Sequence, residues 1–398
     1  MTAHAARAAS WELAVASARF AAGLDDGSGV VDLAATVLDW DGVIAMARDQ
    51  AVLAWLARAL NGRGPPEAAA KVRAATVADA ARALGQLRLL GTLTQAFADA
   101  DIAVLPYKGP ALSLQLYGDV ALRHSTDLDL VVAKTDYVRA RAVLCALGLP
   151  SRRGHTAHQE RALFSWLGHA SFGRGRDDFV ELHWRFAPTQ FAFALDPETA
   201  MSRSSYAMAG GARVRCMAPD DLLVTLAMHG ARHLYERLEW LSGVVRLLRT
   251  TATPPSALTA HARELHARRM LLASVVVANR VLGFPISTAW NAELERDRDT
   301  IVVGEEIARQ LVRHGTTGAP FAHGVSLQML YGRLTDSGRD WVRALVRAAV
   351  MPTEREAEAV RLPDLLTPLY FVVRPIRLIA QYVRLPFRSD TASRRPSA

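Results

Sequence analysis

Lysine is nearly absent from this chain of 398 residues, which has three lysines against 44 arginines. The two side chains are not interchangeable at a phosphate, because the guanidinium is a planar fork and the ammonium is a compact point charge. A lysine retained in so arginine-rich a chain is therefore a candidate for a specific role. One of the three, Lys108, stands beside a glycine at a predicted turn.

Cysteine is scarce as well, with Cys145 and Cys216 as its two occurrences. Two cysteines cannot build a disulfide framework, and a reducing compartment is the default for such a chain. The N-terminus lacks the positively charged start and apolar core of a signal peptide. No uninterrupted apolar run is long enough to cross a bilayer. We therefore expect a cytoplasmic protein.

Aromatic residues make up 7% of the chain and hydrophobic residues 51%, which is typical of a mostly helical protein rich in Ala, Leu and Val. The length predicts two or three subdomains. The net charge of +8 permits binding to nucleic acid, anionic lipid or another polyanion. The arginines are spread without a dense block, however, so compositional bias explains most of this charge and nucleic acid is not the favoured partner.

A strand, a turn and a helix are predicted around Lys108. The apolar run Ile102–Leu105 predicts a buried strand, and Lys108 and Gly109 form the turn after it. A helix then runs over Pro110–Tyr117 and ends at a glycine. Free backbone N–H groups and the positive end of a helix dipole at such a turn suit a phosphate.

Two carboxylates follow on the next predicted strand. Asp127 and Asp129 share one face of this strand, while Leu128, Leu130 and Val132 share the other. Carboxylates placed this close on a strand entering a core repel each other, and Mg²⁺ with substrate phosphates is the ordinary counterion. A short D-x-D also occurs at solvated strand starts, which is the competing interpretation.

These residues together resemble a known family. Lys108-Gly109, a helix ending in Tyr117-Gly118-Asp119, Arg123 and Asp127-x-Asp129 are similar to the uncharacterised nucleotidyltransferase family of the polymerase-β-like superfamily. The resemblance runs from about Trp40 to the C-terminus. It implies an α+β fold with a small mixed sheet, and a third carboxylate from a later strand, Glu181 in Phe179–Trp184.

The residues leave this third carboxylate open between two interpretations. Glu181 and His183 share one face of their strand, so the carboxylate and the imidazole point together. Glu181 could instead be an edge-strand charge paired with Arg185, and Asp178 is a competing third carboxylate. A strand is also predicted at Ala170–Phe172, paired in a hairpin with one at Leu163–Trp166. Three nearby histidines have no cysteine or carboxylate at metal-ligand spacing. We therefore interpret them as solvated loop residues: His155, His158 and His169.

The resemblance implies a Mg²⁺-dependent transfer of an NMP group from an NTP, with ATP as the default donor and Mn²⁺ as the alternative ion. The acceptor would carry a hydroxyl and could be a small molecule, a sugar, a peptide or a protein. Phosphoryl transfer to the same acceptor remains an alternative, as does a non-catalytic antitoxin-like or nucleic-acid-binding protein. The implied catalytic metal ligands are Asp127, Asp129 and Glu181, and the implied nucleotide-binding residues are Lys108, Gly109, Arg123, His229 and Arg232.

The remainder of the chain is predicted to be helical. We expect a helical N-terminal region (1–100), a catalytic core (101–195), a helical C-terminal region (196–388) and a disordered tail (389–398). A helix from Asp220 carries His229 and His233 on one face. The apolar and basic segment Leu362–Phe387 predicts a helix packed on the body, with contact to anionic lipid as the alternative, and its arginines are Arg374, Arg377 and Arg384.

Overall fold

The computed structural model describes residues 2–152, 168–175, 178–188, 191–209, 211–322, 324–352, 356, 359–360 and 362–384. As the apolar spacing predicts, the N-terminal part is helical and contains no strand within the described residues. Its helices are α1 (Ala3–Ala21), α2 (Ser28–Ala34), α3 (Trp40–Asp49), α4 (Leu53–Leu60) and α5 (Pro66–Asp99).

A four-stranded mixed sheet follows, with strand order β1-β2-β4-β3. β1 and β2 are antiparallel, β2 and β4 are parallel, and β4 and β3 are antiparallel. This small sheet among helices confirms the predicted α+β fold. Its strands and the helices between them are β1 (Val104–Pro106), α6 (Gly109–Tyr117), β2 (Leu128–Val132), α7 (Tyr137–Ala146), β3 (His169–Phe172) and β4 (Val180–His183).

The two faces of the sheet differ in chemistry. Leu128, Leu130 and Val132 of β2 point into a core that they share with Phe97 of α5 and Leu144 of α7. Burying this face removes most of its apolar side chains from water. Each fully buried aliphatic residue stabilises the fold by roughly 1.5–3 kcal/mol. The alternate positions therefore emerge on the opposite face, where the acidic residues lie. The strand at Ala170–Phe172 is confirmed as part of β3, whereas Leu163–Trp166 lies outside the described residues.

The expectation of continuous helix after the catalytic core is wrong at one place. A hairpin of β5 (Ser205–Ala209) and β6 (Ala212–Cys216) lies between two helices, with Tyr206 paired to Arg215. The sequence does carry a hairpin signal that the helical interpretation overlooked. β6 alternates Arg213 and Arg215 with Val214 and Cys216, and Gly210-Gly211 is a dipeptide typical of hairpin turns. The helices around and after the hairpin are α8 (Pro197–Arg203), α9 (Pro219–Arg232), α10 (Leu238–Thr250), α11 (Pro255–Glu264), α12 (Arg268–Leu282), α13 (Thr288–Glu295), α14 (Arg298–Thr317), α15 (Gly324–Leu334), α16 (Gly338–Val350) and α17 (Tyr370–Arg384).

The N-terminal and C-terminal helices share one hydrophobic core. Leu13 of α1 and Leu56 of α4 belong to the same buried cluster as Leu241 of α10, Leu271 of α12 and Ile307 of α14. The hydroxyl of Ser242 also donates to the carbonyl of Ala18, at 3.1 Å. Helices from both ends of the chain thus pack into one unit that encloses the sheet.

The last helices leave a row of apolar side chains in solvent. Leu365 is 88% exposed, and four more apolar residues follow at helical spacing of three and four. We call this row the C-terminal apolar stripe; its members are Leu365, Leu369, Val372, Ile376 and Ile379.

Two arginines of α17 contact α16 and the segment that joins it to α17. Arg374 donates to Glu356 at 3.1 Å, and Arg377 pairs with the same buried carboxylate. The side chain of Arg384 and the tail 389–398 lie outside the described residues. Within the part of the chain that the structure describes, no helix combines the length and the apolar character needed to cross a bilayer. Cys145 and Cys216 are both free thiols.

Candidate active site

The Lys108-Gly109 turn lies against the start of β2. Gly109 has a φ of +61°, in the left-handed region that favours glycine, and a Cβ there would lie 3.2 Å from the carbonyl oxygen of Asp127. Ser125 donates to this same carbonyl oxygen at 2.7 Å. The turn can therefore approach the strand because residue 109 has no side chain. It also positions Lys108 at the N-terminal end of α6.

The ammonium of Lys108 lies directly against a buried carboxylate. Its Nζ is 3.0 Å from Oδ1 of Asp129, and Nε2 of His183 lies 3.0 Å from the same oxygen. Burial alone would raise the pKa of the Asp129 carboxyl, but Lys108 and the hydrogen bond from His183 outweigh it and hold this pKa well below its usual range. Asp129 is therefore a stable anion at neutral pH.

Glu181 lies beside Asp129 because of the strand register. Asp129 and Glu181 are paired across the parallel β2–β4 ladder, so their side chains leave the same face of the sheet. Oε2 of Glu181 is 3.3 Å from Nε2 of His183. Burial opposes ionisation of Glu181, but this hydrogen bond and the nearby histidines outweigh it and lower the pKa of the carboxyl.

Asp127 completes the acidic group at the start of β2. Burial, and then the charges of Asp129 and Glu181, raise the pKa of Asp127 to about 7. Three carboxylates this close have more negative charge than Lys108 alone neutralises. The donor set of carboxylate oxygens fits a hard divalent cation such as Mg²⁺, whose charge would favour the ionised form of Asp127.

An aromatic wall from α9 and α10 faces this acidic group. The rings of His229, His233 and Trp240 pack against one another with centroids 4.9–5.1 Å apart. Burial and the charge of Lys108 hold the pKa of His229 well below its usual range, which shows that this imidazole lies near the lysine. Nε of Arg232 donates to Nε2 of His233 at 3.2 Å. Two of the predicted nucleotide-binding residues, His229 and Arg232, are thus on this wall.

Two predicted residues have other partners. Nη2 of Arg123 lies 3.4 Å from a carboxylate oxygen of Glu239 of α10, in an ion pair that both residues bury. Asp178, the competing third carboxylate, accepts hydrogen bonds from the backbone of Arg174 and Gly175, at 2.9 and 2.6 Å. It closes the turn before β4, and Glu181 is the carboxylate beside Asp129.

The interpretation of His169 as a solvated loop residue is wrong. His169 lies on β3 directly opposite His183, and their rings are 5.0 Å apart. Sequence reasoning missed it because the pairing of β3 with β4 depends on a turn whose length cannot be read from residue types. The available clue was its period-two spacing to Ser171. His155 and His158 lie outside the described residues.

Comparison with known proteins gives a family match. The family model described as uncharacterised nucleotidyltransferase matches residues 36–283. No curated protein matches the sequence. Among solved structures, the solution structure of the antibiotic-resistance factor ANT(2'')-Ia is 14% identical, with a TM-score of 0.33, over 46% of this chain and 92% of that chain. The crystal structure of ANT(2'')-Ia with adenylyl-2''-tobramycin is 16% identical, with a TM-score of 0.32, over 45% of this chain and 97% of that chain.

Proposed function

The chain belongs to the uncharacterised nucleotidyltransferase family and is therefore a nucleotidyltransferase, and we propose that it moves an NMP group from an NTP to a hydroxyl-bearing acceptor. ATP is the first donor to test. The observation that carries the proposal is the paired placement of Asp129 and Glu181 on parallel strands, with Lys108 Nζ 3.0 Å from Asp129. Two carboxylates and a lysine ammonium thus meet on the two inner strands of the sheet and the turn beside them.

Asp127, Asp129 and Glu181 would hold the divalent cation, Mg²⁺ or alternatively Mn²⁺. When bound, the cation would neutralise phosphate charge and polarise the reacting oxygen atoms. Lys108 and the N-terminal backbone of α6 would contact the phosphates, because a helix N-terminus and an ammonium both favour anions. Because Lys108 Nζ is 3.0 Å from Asp129, the phosphates and the cation would bind side by side.

The transfer requires a group that accepts the proton of the acceptor hydroxyl. The acceptor oxygen forms a bond to the α-phosphorus, the bond from that phosphorus to the oxygen bridging the β-phosphorus breaks, and pyrophosphate leaves. The acceptor hydroxyl gives up its proton to a carboxylate. Asp129 is a poor base because Lys108 and His183 depress its pKa. Glu181 is the more accessible of these two carboxylates, since its side chain is 21% exposed against 3% for Asp129.

The nucleoside would lie against the wall of α9 and α10. His229 and Trp240 present aromatic surface there, and Arg232 adds a positive charge. Arg123 would act indirectly: its buried pair with Glu239 anchors the segment that leads to Asp127, and this segment also carries Ser125. Its role is therefore to position the start of β2.

Labelled ATP tests the proposal. The full-length protein is incubated with Mg²⁺, extract from its source and ATP carrying ³²P at the α or the γ position, and then with the other NTPs. Product labelled from the α position alone is expected for nucleotidyl transfer, whereas label from the γ position alone means phosphoryl transfer and overturns the proposal.

Variants connect the activity to the site. Asp127→Asn and Asp129→Asn should abolish labelling, and Asp178→Asn is the matched control because its carboxylate closes a turn outside the acidic group. Circular dichroism and thermal melting establish that each variant is folded. Labelling by Asp127→Asn and Asp129→Asn at the wild-type level would overturn the site assignment.

A further inference from the structure

Two imidazoles and one carboxylate converge beside the proposed Mg²⁺ ligands. The ligand atoms of His169, Glu181 and His183 all lie within 4.8 Å of one another. We propose that these three residues form a binding site for a transition-metal ion such as Co²⁺ or Zn²⁺. The proposal rests on the proposed function in one respect, because Glu181 serves both the three-carboxylate set and this site.

The spacing of these atoms is close to that of a coordination sphere. Nε2 of His169 is 3.9 Å from Oε1 of Glu181, and Nε2 of His183 is 3.3 Å from Oε2. Ligands about 2.1 Å from a tetrahedral metal lie about 3.4 Å from each other. The nitrogen atoms of His169 and His183 lie within 4.8 Å of each other, so closure around an ion requires the His169 side chain to move toward Glu181 and His183.

The backbone fixes the three side chains relative to one another. Glu181 and His183 are two residues apart on β4, which is an inner strand of the sheet, and His169 is the direct partner of His183 on β3. The ring of Tyr107 packs edge-on against His183, with centroids 5.4 Å apart. Sites on paired strands hold their ligands more precisely than sites on loops.

The donor type determines which ions are favoured. Mg²⁺ prefers oxygen ligands and retains water, whereas imidazole nitrogen suits Zn²⁺, Co²⁺ and other transition metals. A site with two nitrogen donors thus differs from the carboxylate set of Asp127 and Asp129. Oδ1 of Asp129 is 3.0 Å from Nε2 of His183, so the two sites adjoin.

A hydrogen-bonded network without a metal is the competing explanation. Nε2 of His183 donates its proton toward the carboxylates of Asp129 and Glu181 in the metal-free protein. An ion bound to this nitrogen takes the place of that proton, which passes to solvent. Direct measurement of metal binding separates the two explanations.

Binding is measured on the chelator-treated, full-length protein without nucleotide. Calorimetric titration should give one equivalent of Zn²⁺ or Co²⁺ bound at least about tenfold more tightly than Mg²⁺. His169→Gln should weaken Co²⁺ and Zn²⁺ binding by tenfold or more, since even outer-shell changes cost about 10- to 100-fold. His4→Gln, at an exposed position of α1, is the matched control and should bind as the wild type does.

A second variant, His169→Cys, tests the proposal even if His169→Gln folds poorly. His169→Cys retains a metal ligand of another type, so tight Co²⁺ binding should persist and a thiolate-to-cobalt charge-transfer absorption should appear in the near ultraviolet. Equal Co²⁺ affinity in wild type and His169→Gln, or no such absorption in His169→Cys, would overturn the proposal.

The outcome is separable from that of the proposed function. If His169→Gln loses Zn²⁺ binding but the wild type fails to transfer label from α-³²P ATP, the metal site stands and the proposed function falls. If Asp127→Asn loses labelling while His169→Gln binds Co²⁺ as the wild type does, the proposed function stands and the nitrogen site falls.

Discussion

The guanidinium of Arg123 and the carboxylate of Glu239 form an ion pair between residues that lie 116 positions apart in the chain. Both side chains are buried, with exposures of 7% and 6%. The pair joins the segment before β2 to α10, which carries Trp240 of the aromatic wall. The pair therefore fixes the segment that leads to Asp127 relative to the helix that carries Trp240.

Breaking this pair should destabilise the protein. Arg123→Met or Glu239→Gln leaves a buried charge without its partner, which costs about 3–5 kcal/mol of unfolding free energy. The double variant should lose clearly less than the sum of the two single losses. Chemical denaturation of all four proteins measures this. Strict additivity, or a rise in KM for ATP in Arg123→Met with unchanged stability, would instead indicate a phosphate ligand.

Gly109 should tolerate no side chain. Gly109→Ala forces a residue with a Cβ into a φ of +61° and brings that atom to 3.2 Å from the carbonyl oxygen of Asp127. The start of β2 must then yield by a few tenths of an ångström, so we expect transfer activity to fall by roughly tenfold, less than the roughly 10²-fold cost of a displacement of about 1 Å. Gly118→Ala is the matched control, since its φ is +72° but its Cβ meets nothing within 4 Å. Similar activities of the two variants would contradict the close approach.

Lys108 should be needed for phosphate charge and for Asp129. Lys108→Met removes the ammonium at 3.0 Å from Asp129, and we expect kcat to fall on the order of 10²-fold, as for loss of one preorganised charge donor. Lys108→Arg should restore little, because the larger guanidinium does not fit a contact this buried. The control is Lys71→Met, which removes a lysine paired with Asp41 at the exposed surface. Steady-state kinetics with ATP measure kcat for each variant. Full activity of Lys108→Arg would mean that a guanidinium fits this contact and would contradict the prediction.

His233 should make the protein less stable in acid. Burial and the charges of Arg232 and Lys108 lower its pKa from 6.5 to about 3, so the folded protein holds this imidazole neutral. The unfolded chain binds a proton below pH 6.5 and the folded one does not, so stability is full above pH 6.5 and falls as the pH drops toward 3.

The variant His233→Gln should flatten this dependence. One proton corresponds to about 1.4 kcal/mol per pH unit, and the variant should lose up to that slope. Urea unfolding from pH 7 to about pH 4.5 measures it, with His4→Gln as the control at an exposed position. An unchanged slope in His233→Gln would mean that other groups dominate acid unfolding.

The C-terminal apolar stripe should bind anionic membranes. Val342 and Val346 of α16 are also exposed, next to Arg339 and Arg343. Apolar side chains flanked by arginines match the acyl boundary and headgroups of an anionic bilayer. We expect the protein to sediment with phosphatidylserine-containing vesicles more than with phosphatidylcholine vesicles, and less at high salt.

A charge placed in the stripe tests this. Ile376→Glu should lower vesicle binding about tenfold or more, since one buried aliphatic side chain contributes about 1.5–3 kcal/mol. Leu38→Glu is the matched control, because Leu38 is 81% exposed outside the stripe. If light scattering shows a dimer that Ile376→Glu dissociates, the stripe is a contact between two copies and the membrane prediction is wrong.

The sequence predicts the parts of the fold that have a local pattern. The apolar spacing predicts the N-terminal helices, and the change to period two at Leu128, Leu130 and Val132 predicts β2. Lys108, Asp127 and Glu181 follow from short motifs, and the structure brings them to one end of the sheet, while their catalytic roles stay predictions. Local patterns are enough here because each motif lies within one turn or strand.

The remaining features depend on contacts between distant residues. The partner of Arg123 is 116 positions away, and the pairing of His169 with His183 depends on strand register. The β5–β6 hairpin has a local signal in Gly210-Gly211 and in the alternation of β6, but its cross-strand contacts, such as Arg213 over the ring of Tyr206 at 4.0 Å, cannot be read from the sequence. Residue types alone carry no information about such tertiary contacts.

The shared core of the terminal helices also bears on synthesis of the chain. The carbonyl oxygen of Ala18 in α1 accepts a hydrogen bond from the hydroxyl of Ser242, which lies 224 positions later in the chain. Trp11 of α1 packs on Gly315 of α14. At about 5–20 residues per second, translation of that interval takes roughly ten to forty seconds. During this time the part of α1 that packs on α10 and α14 has no partner, so we expect a fragment ending before α10 to aggregate more readily than the full chain.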